Sequence, residues 1–207
     1  MIDMTRGLLV VIEGINGAGK TTIVNDLIER FGVLQIPVSV YKFPNRNGPN
    51  GSKIDNYLKG NVLIQSKYEV LDMFAADRES VRENINADLE MGKVVICDRY
   101  VYSAIAYQIP LSVSEEKKIR LYCNVIGYFD KCMPIPDIVY VIEGDHLDKR
   151  GIAKHEVFHY LGSRSVRMNV LLKKVISQYT RPNVVKNKTG HLDEVVNYIF
   201  NDIGFRH

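Results

Sequence analysis

The amino-acid sequence predicts a three-layer α/β fold in which a mostly parallel five-stranded sheet is flanked by helices. Short apolar runs alternate with stretches whose apolar residues recur at helical spacing, which is typical of strands joined by covering helices. A glycine-rich turn joins the first run to the first helical stretch. The chain has 207 residues, which suits one sizeable core better than two, so we predict a single domain over residues 1–207.

Strands are predicted at residues 8–12, 38–43, 93–97, 138–142 and 184–185. The first run is apolar throughout, as expected for a strand that is covered on both faces. Pro44 ends the second run, and Asp98 closes the third. These runs are short enough to be strands rather than buried helices.

Helices are predicted at about residues 21–31, 54–58, 66–90, 114–129 and 165–179, and from about residue 192 onwards. In the first of them, Val24, Leu27 and Phe31 form one apolar stripe. Gly32 follows the stripe and predicts the end of that helix.

The composition is that of an ordinary globular protein, with 46% hydrophobic and 25% charged residues. A net charge of +3 is too small to predict nucleic-acid binding, although clustered basic residues could bind small polyanions. The three cysteines form no C-x-x-C pair, which favours a reduced compartment. No signal peptide and no apolar stretch of ~18 residues is seen, so we expect a cytoplasmic protein with no membrane contact.

Residues 14–21 match the pattern G-x-x-x-x-G-K-[ST] between a predicted strand and an amphipathic helix, the context of a phosphate-binding loop. Glycines let backbone N–H groups converge on phosphate oxygens, and the helix N-terminus favours negative charge. We predict that Lys20 binds the β- and γ-phosphates and that Thr21 ligates Mg²⁺. The predicted ATP-binding residues are Gly14, Asn16, Gly17, Ala18, Gly19, Lys20, Thr21 and Thr22.

This loop predicts a nucleoside triphosphate ligand without saying what the protein does with it. The N-K-x-D motif of a base-reading GTPase does not occur in the sequence. Asp98 and Arg99 directly follow a buried strand, so they lie at the edge of the sheet where α/β proteins bind ligands. Asp98 there can hold Mg²⁺, and the guanidinium fork of Arg99 matches a phosphate.

Five segments in chain order resemble the motifs of thymidylate kinases. They are the glycine-rich loop, F-P-N-R at 43–46, F-A-A-D-R at 74–78, D-R-Y-V-Y-S-A-I-A-Y-Q at 98–108 and P-I-P-D at 134–137. The resemblance implies a P-loop kinase fold and ATP-dependent phosphorylation of dTMP to dTDP, with Mg²⁺ as cofactor. It also implies a homodimer and a lid over about residues 145–163.

The resemblance implies a role for each matched residue on the acceptor side. Arg46 and Arg99 would bind the phosphate group of dTMP. Phe74 would stack on thymine, Arg78 would donate to its O4 edge, and Tyr107 would pack against the deoxyribose. The predicted substrate-binding residues are Asn16, Phe43, Arg46, Phe74, Arg78, Arg99, Ser103, Ala104, Tyr107 and Gln108.

Two positions depart from the family pattern. Asn16 stands where the family usually has Asp or Glu, and Gly17 stands where some members carry a basic residue. A positive group is needed beside the transferred phosphoryl group, because charge spreads over its oxygens in the transition state. We expect Arg150 or Lys154 of the lid to supply it. The predicted catalytic residues are Lys20, Asp98, Arg99, Arg150 and Lys154, and the predicted metal ligands are Thr21 and Asp98.

Other functions remain open at this point. A deoxynucleoside kinase would show E-R-S at the end of the third strand, where this chain has D-R-Y. A kinase for uridylate or guanylate is an alternative because of Asn16. A nucleotide-binding regulator without transfer activity is a third, although it would not need Lys20, Thr21 and the arginines together.

Overall fold

The computed structural model describes residues 6–144 and 163–206. Its strands are β1 (Leu9–Glu13), β2 (Val38–Lys42), β3 (Val94–Asp98), β4 (Ile138–Gly144) and β5 (Asn183–Asn187). In these two ranges the strands form one five-stranded sheet in the order β2-β3-β1-β4-β5, and every pairing is parallel. The predicted sheet is therefore confirmed, and it is parallel throughout.

The centre of the sheet is the core of the protein. Every residue of β1 and β3 is buried, including the terminal carboxylates Glu13 and Asp98, and the apolar sequence of the other residues agrees with cover on both faces. The edge strands β2 and β5 are only partly buried. In β5 only Val185 is buried, which explains why the apolar pattern predicts so short a strand.

The helices are α1 (Lys20–Val33), α2 (Gly51–Leu58), α3 (Lys67–Glu79), α4 (Arg82–Glu90), α5 (Val101–Gln108), α6 (Glu116–Gly127), α7 (Ser163–Ile176) and α8 (Leu192–Gly204). Helix α1 packs against α8, where the rings of Phe31 and Phe200 lie 4.8 Å apart. Helix α5 packs against α6 and α7. None of the described helices is long and apolar enough to cross a membrane.

The helix predicted over residues 66–90 is two helices, α3 and α4. The hydroxyl of Ser80 donates to the backbone carbonyl of Asp77 at 2.7 Å, and such a local bond competes with a continuing helix. Val81 is then the N-cap of α4. The helix predicted over 114–129 is likewise shorter, because α6 ends at Gly127 and a 3₁₀ turn follows at Tyr128–Asp130. Helix α5 was not predicted.

The parallel order brings the polar ends of three strands to one edge of the sheet. The glycine-rich loop follows β1, and Asp98 ends β3, the neighbour of β1. Lys42 ends β2 and pairs with Asp98 in the sheet. The carboxyl ends of β1, β2 and β3 therefore form the floor of one cleft.

Candidate active site

A cleft of about 830 Å³ lies at this edge of the sheet. The predicted site residues that line it are Asn16, Gly17, Gly19, Lys20, Thr21, Thr22, Phe43, Arg46, Phe74, Arg78, Asp98, Arg99, Ser103, Ala104, Tyr107 and Gln108. Gly14 and Ala18 are buried beside the cleft and do not line it. Arg150 and Lys154, with most of the predicted lid, lie outside the described residues.

The glycine-rich loop is held close to the neighbouring strand β4. Gly14 has a φ of 145°, and a Cβ there would lie 2.6 Å from the carbonyl oxygen of Ile142, so a larger residue would displace the loop. Gly17 and Gly19 have φ values of 79° and 91°, which favour glycine. Gly19 is the N-cap of α1, and no side chain caps this helix. The start of α1 therefore suits a phosphate group.

Lys20 is the first residue of α1, and its side chain folds back over the loop. Its Nζ donates to the carbonyl oxygen of Ile15 at 2.7 Å. Burial, together with the nearby positive charge of Arg99, lowers the pKa of Lys20 to about 7. Bound phosphates would favour the charged ammonium, because an opposite charge at close range raises the pKa of a lysine.

Thr21 and Asp98 bring two oxygen atoms together at the base of the cleft. The Thr21 hydroxyl lies 3.2 Å from Asp98 Oδ2, and Asp98 is buried. Neighbouring ligands of an octahedral Mg²⁺ with bonds of about 2.1 Å lie roughly 3 Å apart, and this ion usually takes few protein ligands and completes its shell with water and phosphate. The two predicted metal ligands therefore fit Mg²⁺.

Lys42 contacts the side-chain oxygens of Thr21 and Asp98, and it was not among the predicted site residues. Its Nζ lies 3.3 Å from Thr21 Oγ1 and 3.4 Å from Asp98 Oδ2. Lys42 could have been predicted from its position, because it is the last residue of a strand and directly precedes the F-P-N-R segment.

Arg99 links the donor and acceptor sides of the cleft. It has a φ of 71°, and its Nη1 donates to the carbonyl oxygen of Gly14 at 2.9 Å and to the hydroxyl of Ser103 at 3.1 Å. Its Nη2 donates to Asn16 Oδ1, and its guanidinium carbon lies 5.8 Å from the ring centroid of Tyr107. Asn16 and Ser103 thus both orient the guanidinium of Arg99.

Glu13 is a buried carboxylate that the sequence analysis also missed. Its Oε1 accepts hydrogen bonds from the backbone N–H groups of Tyr100 at 2.9 Å and Ser103 at 3.1 Å, and its Oε2 accepts one from the Ser103 hydroxyl. Burial raises the pKa of Glu13, and the charge of Arg99 opposes that rise. Glu13 therefore ties the end of β1 to the start of α5.

Arg46, predicted to bind the acceptor phosphate, lies in the loop between β2 and α2, and Phe74 and Arg78, predicted to bind the base, lie on α3. Arg46 is oriented by Asp55, with 2.7 Å between Nη1 and Oδ1. Phe74 is half-buried and meets Tyr57 edge-on, with 6.3 Å between ring centroids.

Arg78 and Asp130 form a buried ion pair in the wall of the cleft. Asp130 accepts from Arg78 Nε at 2.6 Å and from Nη2 at 2.8 Å. The pair fixes the plane of the guanidinium, and Arg78 still lines the cleft. One step earlier on α3, Asp77 Oδ2 accepts from the backbone N–H of Asn45 at 2.9 Å.

Comparison with known proteins places these residues in a family context. A sequence profile of the thymidylate kinase family matches residues 12–156. The chain is 34% identical over 197 residues to the thymidylate kinase of Leptospira borgpetersenii serovar Hardjo-bovis (strain L550), covering 94% of the chain and 89% of that relative.

Two further matches support the same relationship. Over 105 residues the chain is 37% identical to a protein of Invertebrate iridescent virus 6 named for the same family, which covers 51% of the chain and 49% of the viral protein. A solved structure of a thymidylate kinase from Candida albicans superposes with a TM-score of 0.73 at 23% identity, covering 97% of the chain and 92% of that structure. This last match concerns the fold.

Proposed function

The chain belongs to the thymidylate kinase family, and on that premise we propose that it transfers the γ-phosphoryl group of ATP to the phosphate of dTMP, yielding dTDP and ADP. The observation that carries the proposal is the convergence of a phosphate-binding loop and two arginines on one cleft. Lys20 and Thr21 serve the donor from one side, and Arg46 and Arg99 face the acceptor from the other.

The glycine-rich loop would hold the phosphates of ATP. Its backbone N–H groups and the start of α1 offer a concave, positive surface to the phosphate oxygens. Lys20 would exchange the Ile15 carbonyl for the β- and γ-phosphates, where its ammonium regains an anionic partner.

Thr21 and Asp98 would hold Mg²⁺, which when bound neutralises charge on the β- and γ-phosphates. The two side chains provide hard oxygen donors at the spacing that this ion needs. Thr21 and Asp98 line the cleft together with Lys20, which supports a shared role in binding Mg²⁺ and the ATP phosphates.

On the acceptor side, Arg46 and Arg99 would bind the dTMP phosphate. Arg99 is already oriented by Gly14, Asn16 and Ser103, so little side-chain freedom remains to be lost on binding. Phe74 would cover the thymine ring, and the unused edge of the Arg78 guanidinium would donate to its O4 atom.

Transfer would proceed in line, without a covalent enzyme intermediate. The protein's contribution is to align two anionic phosphates and to spread positive charge around the transferred group. Lys20 and Arg99 do so within the described residues. The proposal that Arg150 or Lys154 adds a further cation concerns residues outside that part of the chain.

The test is an ADP-release assay with ATP and Mg²⁺ against dTMP, dUMP, dCMP, dGMP, UMP and thymidine. We expect turnover to be fastest with dTMP and absent with thymidine. Turnover with thymidine but not dTMP would overturn the acceptor-phosphate roles of Arg46 and Arg99. Tight ATP binding without turnover of any acceptor would favour the nucleotide-binding regulator instead.

We also propose a homodimer. Leu121 and Val125 on α6 and Tyr128 directly after it are exposed and recur at helical spacing, and an exposed apolar stripe of this kind supports self-association. Light scattering across a dilution series should give twice the chain mass, and Val125→Lys should shift the mass to that of one chain.

A cytoplasmic location is a further part of the proposal. Cys97, Cys123 and Cys132 are all free thiols, and this suits a reducing compartment. Fractionation of cells that express the protein with an epitope tag should recover it with cytosolic markers, and recovery with an organelle fraction would contradict the assignment.

A further inference from the structure

Lys42 is a cation placed by the sheet itself at the predicted metal position. It pairs with Asp98 in the β2–β3 ladder, so the two residues are neighbours by backbone register. Its Nζ lies 3.3 Å from Thr21 Oγ1 and 3.4 Å from Asp98 Oδ2. These are the same two oxygens that fit Mg²⁺.

The contact differs from an ordinary surface ion pair, which contributes little in most proteins. Asp98 is only 5% exposed at its side chain, while that of Lys42 is 62% exposed. The ammonium therefore reaches a buried carboxylate from the open side of the cleft. Its flexible four-carbon stem allows it to leave that carboxylate without moving the strand.

We propose that Lys42 is a second phosphate-binding cation of the transfer site. Its ammonium leaves the Thr21 and Asp98 oxygens when a divalent ion binds them, and it then pairs with the acceptor phosphate beside Arg46 and Arg99. The proposal rests on the proposed function, and it extends that function by naming a residue that changes partner between the metal site and the substrate.

Electrostatics and the sequence both support the change of partner. An ammonium and a divalent cation repel each other at contact distance, so they cannot share the two oxygens. The cleft that Lys42 lines also holds Arg46 and Arg99. Gly17 offers no positive charge to the transferred group, and Lys42 would supply one from the opposite side of the loop.

The first experiment measures ATP binding by titration calorimetry without any acceptor. Each protein is titrated with ATP once in EDTA and once in excess Mg²⁺. The variants are Lys42→Met, which keeps the length of the stem, and the matched control Lys118→Met. Lys118 is similarly exposed at 58% of its side chain and forms an ion pair with Glu115 at 2.7 Å.

We expect Lys42→Met to weaken metal-free ATP binding about tenfold, because in EDTA the ammonium stands at the metal position and would donate a charge-assisted hydrogen bond to the ATP phosphates there, while binding in Mg²⁺ stays equal or becomes tighter. Lys118→Met should change neither value. If Lys42→Met changes the ATP affinities in EDTA and in Mg²⁺ equally, or changes neither, the ammonium and the metal do not compete and the proposal is wrong.

The second experiment measures the acceptor side in the presence of ADP and Mg²⁺, where no forward transfer occurs. Lys42→Met should weaken dTMP binding about tenfold and leave thymidine binding unchanged, and Lys42→Arg should restore most of the loss. Unchanged dTMP binding would overturn the acceptor contact.

The outcome for Lys42 is separable from that for the proposed function. Failure of the wild-type protein to phosphorylate dTMP would sink the proposed function, whereas the ATP titrations would still decide whether Lys42 and Mg²⁺ compete. Thermal unfolding of each variant, monitored by circular dichroism, checks that the exposed substitutions leave the fold intact.

Discussion

Loss of one partner from the Arg78–Asp130 pair should destabilise the fold far more than loss of both. Both side chains are only 4% exposed, and two hydrogen bonds of 2.6 and 2.8 Å join them. Removing one partner of such a pair leaves a buried charge without compensation, which costs about 3–5 kcal/mol. We therefore expect Arg78→Met and Asp130→Leu each to lower the free energy of unfolding by that amount.

The double variant should behave differently from the sum of its parts. Methionine and leucine together are apolar and of similar volume to the pair, and such replacements are often neutral or stabilising by about 1–4 kcal/mol. Urea unfolding followed by circular dichroism gives the free energy of unfolding of all four proteins. If the double variant loses as much stability as the two single variants combined, the pair is not an energetic unit and the reasoning fails.

The Arg78–Asp130 pair also leads to a prediction about the binding of dTMP. Asp130→Asn keeps the shape of the side chain but removes the charge that fixes the guanidinium of Arg78. We expect the KM for dTMP to rise about tenfold, the effect of losing a little over 1 kcal/mol, with the KM for ATP unchanged. A similar rise in both KM values would indicate a general loss of structure rather than loss of base recognition.

Three further outcomes follow from the site. Arg99→Ala should abolish dTMP turnover while ATP binding and the thermal unfolding curve persist, and an active, folded variant would remove Arg99 from the acceptor site. At pH 8, one unit above the pKa of about 7 for Lys20, that lysine is mostly neutral, so ATP binding should take up close to one proton from the buffer. Calorimetry in buffers of different ionisation enthalpy should show this uptake, its loss at pH 6 once the proton that ATP itself releases on binding is accounted for, and its loss in Lys20→Arg. The family resemblance implies that residue 16 accepts a hydrogen bond from the 3′-hydroxyl of dTMP. Asn16→Asp should therefore lower the KM for dTMP about fivefold relative to the KM for its 3′-deoxy analogue, because a charged acceptor strengthens a hydrogen bond by about 1 kcal/mol.

The sequence predicted most of the fold because the buried strands carry an unambiguous pattern. β1 and β3 are apolar up to their last residues, Glu13 and Asp98, and the glycine-rich loop marks where the first helix begins. The break between α3 and α4 could not be predicted, because it depends on the Ser80 hydroxyl, and serine is also found within helices. β5 was predicted short because only Val185 is buried.

The candidate site was predicted through residues that stand in recognisable patterns. Lys42 and Glu13 lie beside such patterns and belong to none of them. Their importance comes from partners far away in the chain, Asp98 for the first and Ser103 for the second. Asp130 was missed for the same reason, since its partner Arg78 lies 52 residues earlier.

The hydrogen bond from Asn45 to Asp77 has a consequence for the design of inhibitors. Asp77 lies on α3 between Phe74 and Arg78, the two residues proposed to bind the base. It also accepts a hydrogen bond from the backbone N–H of Asn45, next to Arg46, which is proposed to bind the phosphate. A compound that occupies only the base pocket and shifts α3 would therefore also displace Arg46. Such a compound could block the enzyme without carrying a phosphate mimic, and the charge that hinders entry of phosphorylated drugs into cells would be unnecessary.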